Sequence, residues 1–178
     1  MPLTTYTSGE VLTAASLNAN FTFAAANPTG KVIQIVSTQT GALATGTTQI
    51  PTDDTIPQNT EGTQFMTLAI TPTSATNILQ IVIQSDIAVD GADIQYVCAL
   101  FQDSTANALA AVGGNSRTNR IHTPVLIHTM TAGTTSATTF KFRAGPSSAN
   151  TMTFNGFGGG RAFGGVSASS IIITEYTP

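Results

Sequence analysis

Residues 77–102, NILQIVIQSDIAVDGADIQYVCALFQ, decide the fold class of this chain. They form two runs that are dense in isoleucine, valine and aromatic residues, with VDGAD between them. Short apolar runs bounded by turn residues predict β-strands, and an Asp-Gly pair between two such runs predicts a hairpin. The stretch therefore predicts an antiparallel β-sheet as the basis of the fold.

Both runs are apolar on both faces, because alternate residues of a strand point in opposite directions. An antiparallel strand of a sandwich needs only one apolar face, the one that packs on the core. Either a covering loop or another subunit can hide the second face, and we favour a subunit interface. The opposing sets are Leu79, Ile81 and Ile83 against Ile78 and Val82 in the first run, and Tyr96, Cys98 and Leu100 against Val97, Ala99 and Phe101 in the second.

The pattern of short strands continues over residues 29–178. Runs rich in valine, isoleucine, threonine and phenylalanine alternate with segments rich in glycine, proline, asparagine and serine. Eight to ten such strands in one domain predict an all-β fold, an antiparallel β-sandwich or jelly roll. The predicted strands are 31–38, 47–50, 63–71, 77–87, 93–102, 106–112, 121–132, 137–144, 150–155 and 169–176.

Residues 1–28 are a different kind of sequence, polar and extended at first and then helical. Leu17, Phe21 and two alanines follow helical spacing before the pattern stops at Asn27-Pro28. A helix this short is marginal alone in water, so its apolar stripe is expected to dock on the body or on a partner. We therefore interpret residues 1–28 as an anchor segment joined to the β domain.

The composition excludes several classes of function. Charged residues make up 8% of the 178 residues, against about 25% in ordinary soluble proteins. The net charge is −3 and the six basic residues are scattered, which argues against nucleic-acid binding. Mean hydropathy is +0.17, yet no apolar run approaches the roughly 18 residues of a membrane span. A rigid oligomer that hides its apolar faces would keep such a weakly charged chain in solution.

The N-terminus predicts no export signal, and the cysteine content predicts no disulfide. The first residues lack both the basic region and the apolar region of a signal peptide. Cys98 is the single cysteine and lies in an apolar strand pattern, where a buried core residue is expected.

The two histidines do not predict a metal site. His122 and His128 are six residues apart, so on one strand they share a face but lie about 20 Å apart. That separation is too large for one ion within one chain, although copies of one histidine could meet around a symmetry axis. Structural histidines are the expectation.

The acidic residues favour turns over calcium binding. Asp53 and Asp54 lie in PTDDTIP without the regular ligand spacing of a calcium loop. Asp86, Asp90 and Asp93 surround the predicted VDGAD hairpin. No nucleophile elbow, zinc motif or phosphate loop occurs in the sequence. We therefore predict no catalytic residues, no metal, no cofactor and no enzymatic activity.

Residues 156–165, GFGGGRAFGG, stand out as a candidate recognition loop. Phe157, Arg161 and Phe163 are embedded there among glycines, and aromatic and arginine side chains are enriched at recognition surfaces. The alternative is a tight loop in which glycines permit positive φ while both phenylalanine rings pack inward.

The opening residues 5–21, TYTSGEVLTAASLNANF, resemble the N-terminal attachment segment common in tailed-bacteriophage fibre and other virion proteins. In that segment a glycine, a Val/Ile-Leu-Thr-Ala start and a Leu-Asn pair open a short docking helix. The matching residues are Gly9, Val11, Leu12, Thr13, Ala14, Leu17 and Asn18.

The body resembles phage jelly-roll heads related in shape to the trimers of tumour necrosis factor and C1q. The matching pieces are KVIQIVST, ITPTSATNILQIVIQSDI and the closing SSIIITEYTP with Glu175. The resemblance implies a homotrimer without enzymatic activity that is located in the virion and assembled in the host cytoplasm. No repeats or heptads that would form a fibre shaft separate the anchor from the head.

These observations predict a short tail fibre or adhesin whose knob contacts a host surface, such as a glycan. The nearest alternative is a capsid decoration protein that binds the major capsid protein, and a third is a secreted C1q-like binding module. In the leading hypothesis Leu12, Leu17, Phe21 and Phe23 are buried in a partner virion protein or at the base of the trimer. The outward recognition residues are Phe157, Arg161 and Phe163.

Overall fold

The chain folds as an antiparallel β-sandwich of the jelly-roll type, preceded by one helix. The computed structural model describes residues 5–11, 13–26 and 30–178, and for residues 22–26 it describes the backbone only. The elements are α1 (Ala14–Ala26), β1 (Val32–Thr40), β2 (Ala44–Gly46), β3 (Thr63–Ile70), β4 (Ile78–Gln84), β5 (Ile87–Val89), β6 (Ile94–Gln102), β7 (Ala110–Ser116), β8 (Val125–Thr131), β9 (Thr138–Pro146), β10 (Met152–Phe154), β11 (Gly156–Phe157), β12 (Gly160–Arg161) and β13 (Ser169–Tyr176).

Two four-stranded antiparallel sheets form the sandwich. Sheet 1 has the strand order β1-β13-β4-β8, and sheet 2 has the order β3-β9-β6-β7. Each sheet combines strands from both halves of the chain, so both chain halves are needed to build either sheet. The inward-facing residues of the two sheets form one apolar core, which includes Leu79, Ile81, Leu100, Phe140 and Phe142.

Strand register divides the sandwich into two ends, which we call proximal and distal. At the proximal end Val32 pairs with Tyr176, and Tyr176 pairs with Ile78. At the distal end Thr40 pairs with Ser169. The nine residues of β1 span about 26 Å between these ends. The chain enters the body at the proximal end, where the Gly30 N–H donates to the Thr177 carbonyl.

A covering segment, residues 47–62, hides the outer face of sheet 2. Its Ile50 side chain is fully buried against Val97, Ala99 and Phe101 of β6. The Arg143 guanidinium holds the end of the segment, donating from Nε to the Glu61 carbonyl and from Nη2 to the Gly62 carbonyl at 2.7 Å each. The prediction that another subunit covers this face of 93–102 is therefore wrong, because the chain's own loop covers it.

Several details of the predicted strands also differ from the structure. Residues 47–50 are not a strand but the start of the covering segment, and the short strand lies just before them, as β2. VDGAD does not close a hairpin, because β5 pairs with β10 whereas β6 pairs with β7 and β9. The strand predicted at 77–87 ends earlier, at Gln84. The strands predicted at 106–112 and 121–132 are observed at Ala110–Ser116 and Val125–Thr131.

Replacing Ile50 with alanine tests the role of the covering segment. Because the side chain is fully buried, we expect a loss of about 2–4 kcal/mol of unfolding free energy. Limited proteolysis should then cut within residues 47–62 faster than in the parent chain. Ile56→Ala, a change to a side chain that is 55% exposed in the same segment, serves as the control and should change neither readout.

Candidate functional site

The glycine-rich segment 156–166, which we call the distal segment, is held at its beginning by Asn155. This asparagine is fully buried and has a φ of +57°. Its Nδ2 donates to the carbonyls of Thr40 and Ala42, and its Oδ1 accepts from the Ser169 hydroxyl at 2.7 Å. These bonds fix the start of the distal segment to the distal ends of β1 and β13.

Asp86 holds the other end of the distal segment. Its Oδ2 accepts from the Ser167 hydroxyl, which directly follows the segment, and its Oδ1 accepts from the Thr123 hydroxyl at 2.8 Å. The backbone N–H of Asn155 donates to the Asp86 carbonyl at 2.8 Å. Since both ends are fixed to the same residue, the distal segment is a preorganised loop, and such a loop loses less entropy on binding.

Between these ends the segment folds into the small hairpin β11–β12, which lies on a three-stranded sheet of order β2-β10-β5. The Gly159 N–H donates to the Thr153 hydroxyl of β10 at 3.0 Å. Gly156 is buried, and a Cβ there would lie 2.0 Å from the Gly160 carbonyl oxygen. Glycine is thus required at this position because the two backbones of the hairpin approach so closely.

The distal segment exposes the predicted recognition residues. The Phe157 side chain is 47% exposed and that of Phe163 is 74% exposed, so neither ring packs into the core. Phe163 also has a φ of +49°, an unfavourable conformation for an aromatic residue. The Arg161 side chain crosses Gly165, where a Cβ would lie 2.8 Å from Arg161 Cδ. The structure therefore brings these three residues together at the distal end.

Sequence reasoning missed a second loop at this end, the arginine turn of residues 117–120. The Arg120 N–H donates to the Arg117 carbonyl at 3.0 Å, and the Asn119 N–H donates to the Val89 carbonyl. The Asn119 side chain lies 3.5 Å from the position of a Cβ on Gly158. The arginine turn thus adjoins the tip of the β11–β12 hairpin. This contact could not be predicted from local sequence patterns, because the two loops are almost forty residues apart.

The outer face of sheet 1 is a second candidate surface, which we call the apolar face. Register places Ile172, Val82 and Ile127 in one row across β13, β4 and β8. Ile127 is 60% exposed, and Ile35 on the edge strand β1 is 61% exposed. None of the following side chains on this face carries a charge: Ile35, Ser37, Gln39, Ile78, Gln80, Val82, Gln84, Val125, Ile127, Thr129, Thr131, Ser170, Ile172, Thr174 and Tyr176.

The anchor helix has a defined start and an exposed apolar pair. Thr13 caps α1, because its Oγ1 accepts from the Ser16 N–H at 3.2 Å. Leu17 is 39% exposed and Phe21 is 65% exposed, one turn apart on the same side of the helix. Among the predicted anchoring residues, Leu12 lies outside the described residues, and the same holds for the side chain of Phe23.

The histidines lie in different settings and share no site. His122 precedes β8, exchanges backbone hydrogen bonds with Ile87, and contacts the Tyr96 ring at a centroid distance of 5.1 Å. His128 is within β8 beside Ile81, and burial lowers the pKa of its imidazole. In the described part of the chain, no cluster of three or more His, Cys, Asp or Glu residues is suited to a metal ion.

The remaining candidates have structural environments. The Asp53 carboxylate closes a turn by accepting from the N–H and hydroxyl of Thr55. Burial raises the pKa of the Cys98 thiol to about 12, so the group is a neutral thiol at physiological pH and not a nucleophile. None of the helices described here is long and apolar enough to cross a lipid bilayer.

Comparisons with known proteins give similarities of fold. No family model and no curated protein sequence matches the chain. Among solved structures the chain is similar to the Eiger TNF from S. frugiperda, with 7% identity, a TM-score of 0.47, and coverage of 80% of this chain and 93% of that one.

Two further similarities are to viral proteins. A chain of infectious bursal disease virus, Gx strain, is 10% identical with a TM-score of 0.40, over 82% of this chain and 37% of that one. The enzymatically active domain of tailspike protein 4 from bacteriophage CBA120 is 18% identical with a TM-score of 0.28, over 68% of this chain and 18% of that one.

Proposed function

We propose that this chain is a non-enzymatic structural protein of a tailed-bacteriophage virion. In this proposal three copies form a short tail fibre or adhesin, the N-terminal segment binds another virion protein, and the jelly-roll knob presents its distal end to the host surface. The proposal includes assembly in the host cytoplasm and location in the virion.

One observation carries the proposal, namely that the chain joins the sandwich at the end opposite the distal segment. The chain enters the body beside Thr177 at the proximal end, whereas Asn155 ties the distal segment to Thr40. About 26 Å of β1 separates these ends. An adhesin needs this polarity, because one end must bind the particle while the other meets the host.

The distribution of charge supports the same polarity. The distal loops contain Arg117, Arg120, Arg161, Asp90 and Asp93, whereas the exposed charged residues at the proximal end are Lys31 and Asp103. An end with fewer charges suits close packing against another protein, since burying an unpaired charge is costly. The charged end suits contact with a hydrated host surface.

The apolar face supports the homotrimer. It runs from the proximal to the distal end, so copies that bury it against one another around a common axis would all present their distal segments at the same end. A contiguous apolar row such as Ile172–Val82–Ile127, in which Ile172 and Ile127 are exposed, is typical of an interaction surface. This accounts for the second apolar face of the 77–84 run, whose Ile78 and Val82 are half-buried in the single chain.

Truncation tests the anchor. Deletion of residues 1–28 should leave a soluble, folded trimer, because the apolar core is formed by residues between Val36 and Ile173, but the trimer should fail to join the particle. The measurement is the amount of the chain in purified virions, with its size in solution determined by light scattering. Normal incorporation of the truncated chain would contradict the anchor assignment.

A point variant makes this test sharper. Phe21→Asp places a charge in the exposed apolar pair of α1 and should reduce incorporation by about tenfold or more, the effect of losing one buried phenylalanine. Ala15→Asp, an exposed change in the first turn of the same helix, is the matched control and should incorporate normally.

A capsid decoration protein is the second candidate, favoured by the short connection between anchor and body. Only residues 27–29 separate α1 from Gly30, so the body lies close to whatever surface the helix binds, as in a protein that covers a shell. Copy number per particle separates the candidates, because a fibre occurs in tens of copies and a decoration protein in hundreds.

A further inference from the structure

We infer that the distal end binds an acidic polysaccharide, with a sugar ring against Phe157 and carboxylate groups paired with Arg117, Arg120 and Arg161. This inference deepens the proposed host-surface function and rests on it. It names the chemical class of the ligand and adds the arginine turn to the site.

The arginines supply unpaired positive charge. Three of the six basic residues of the chain lie in the arginine turn and the distal segment, and all three are exposed. Within the described residues, no hydrogen bond or ion pair joins their guanidinium groups to another residue. By contrast, Lys141 donates to the Asp103 carbonyl and Arg143 holds the covering segment. The available guanidinium groups are therefore concentrated at one end.

The neighbouring acidic groups are largely engaged by the chain itself. Asp86 accepts from Ser167, Thr123 and Gln84, and Asp90 accepts from the Thr151 N–H at 2.9 Å. Asp93 is the exposed carboxylate that remains in the loop before β6. Although three carboxylates lie at the same end, no ion pair within the described residues joins them to the three arginines. The guanidinium groups are thus available to carboxylates of a ligand, which they bind in a two-pronged geometry.

The surroundings of Phe157 favour a sugar ring as the neutral part of the ligand. Phe157 pairs with Gly160 across the hairpin. The space beside Gly160 and Gly159 is open, because a Cβ placed on Gly160 would have a backbone oxygen at 3.5 Å as its nearest neighbour, and one placed on Gly159 would have no atom within 4 Å. The half-exposed ring is therefore bordered by bare backbone, so the flat C–H face of a pyranose can contact the ring while its hydroxyls reach peptide groups.

Direct binding tests the inference on the full-length chain. The probes are a short oligogalacturonate, which carries a carboxylate on every ring, and a neutral oligoglucan of the same length, measured by titration calorimetry at low ionic strength. We expect the oligogalacturonate to bind and the oligoglucan to bind at least about tenfold more weakly. Added salt should weaken the acidic complex, as screening requires.

Variants assign the binding to these residues. Arg161→Ala and Arg120→Ala should each weaken oligogalacturonate binding by about three- to tenfold, and Phe157→Ala by about tenfold. Lys31→Ala is the matched control, because it removes one exposed cation at the proximal end, and it should bind like the parent chain. Unchanged melting temperatures would show that the variants remain folded.

Three outcomes would overturn the inference. They are equal affinity for both oligosaccharides, failure of the acidic probe to bind, and the same loss in Lys31→Ala as in Arg161→Ala. Adsorption of virions to protease-treated and periodate-treated host cells then separates this inference from the proposed function. Adsorption that is lost only after protease treatment would indicate a protein receptor and would refute the ligand class while leaving the adhesin role intact.

Discussion

Replacing Ile127 with aspartate is expected to convert the proposed trimer into monomers. Ile127 is 60% exposed in the single chain and lies in the central row of the apolar face. In a trimer each copy would bury this carboxylate among Val82 and Ile172, and desolvating an unpaired charge costs several kcal/mol. We expect the association constant of the subunits to fall by about 100-fold or more.

Light scattering at several protein concentrations measures this change directly. Ala69→Asp is the matched control, because Ala69 is an exposed strand residue on the outer face of sheet 2, and this variant should remain trimeric. Circular dichroism of both variants should show the β-sheet content of the parent chain. If Ile127→Asp remains a trimer, the apolar face is not the subunit interface.

Replacing Glu175 with alanine is expected to destabilise the fold strongly. This carboxylate is fully buried in β13 and accepts hydrogen bonds from Gln34 Nε2, Asn77 Nδ2 at 2.6 Å, and the N–H and hydroxyl of Thr73 at 2.8 Å each. Its loss removes hydrogen bonds to a charged group, each worth about 1.5–3 kcal/mol, and takes one partner from the buried Asn77 amide. We expect a loss of about 3–5 kcal/mol in total, measured by chemical denaturation.

The pH dependence of stability provides an independent check on Glu175. Burial alone would raise its pKa, but the hydrogen bonds from Gln34, Asn77 and Thr73 outweigh burial and bring the pKa to about 2. Because the folded pKa lies below the ordinary value of 4.5, the carboxylate contributes its full stability above about pH 4.5. That contribution is lost as the pH falls from 4.5 toward 2.

Glu175→Gln isolates this effect, since the amide keeps the shape but does not ionise. Between pH 5 and about pH 2 the stability of the variant should fall less steeply than that of the parent chain. Identical slopes would show that the carboxylate contributes nothing to the acid sensitivity of the fold. Thr71→Ala, a change to a neighbouring exposed side chain, is the control, and its stability should depend on pH as that of the parent chain does.

The fold class was predictable from the sequence because period-two alternation and turn residues are local signals. The strands of the 77–102 stretch and the N-terminal helix follow from such signals. The covering of the second apolar face of β6 by residues 47–62 was not predictable. Ile50 lies almost fifty residues earlier in the chain, and no local pattern indicates that it packs on β6. For the same reason VDGAD resembles a hairpin turn although it connects two different sheets.

The candidate site was predictable only in part. The aromatic residues and Arg161 stand out among glycines, so local composition was sufficient to propose them. Arg117 and Arg120 became candidates only when the structure placed Asn119 beside Gly158. One signal was present in the sequence, since three of the six basic residues lie in two glycine- or asparagine-rich turn segments. Their proximity depends on tertiary pairing, which local patterns do not encode.

Gold labelling of a Phe163→Cys variant on purified virus particles tests the central claim most directly. Cys98 is buried and its thiol stays protonated, so the exposed cysteine at position 163 would be the reactive thiol of the knob. The account predicts that electron microscopy shows gold at the outward end of projections on the tail. Unlabelled particles, or gold lying at the base of the projections against the particle, would contradict it.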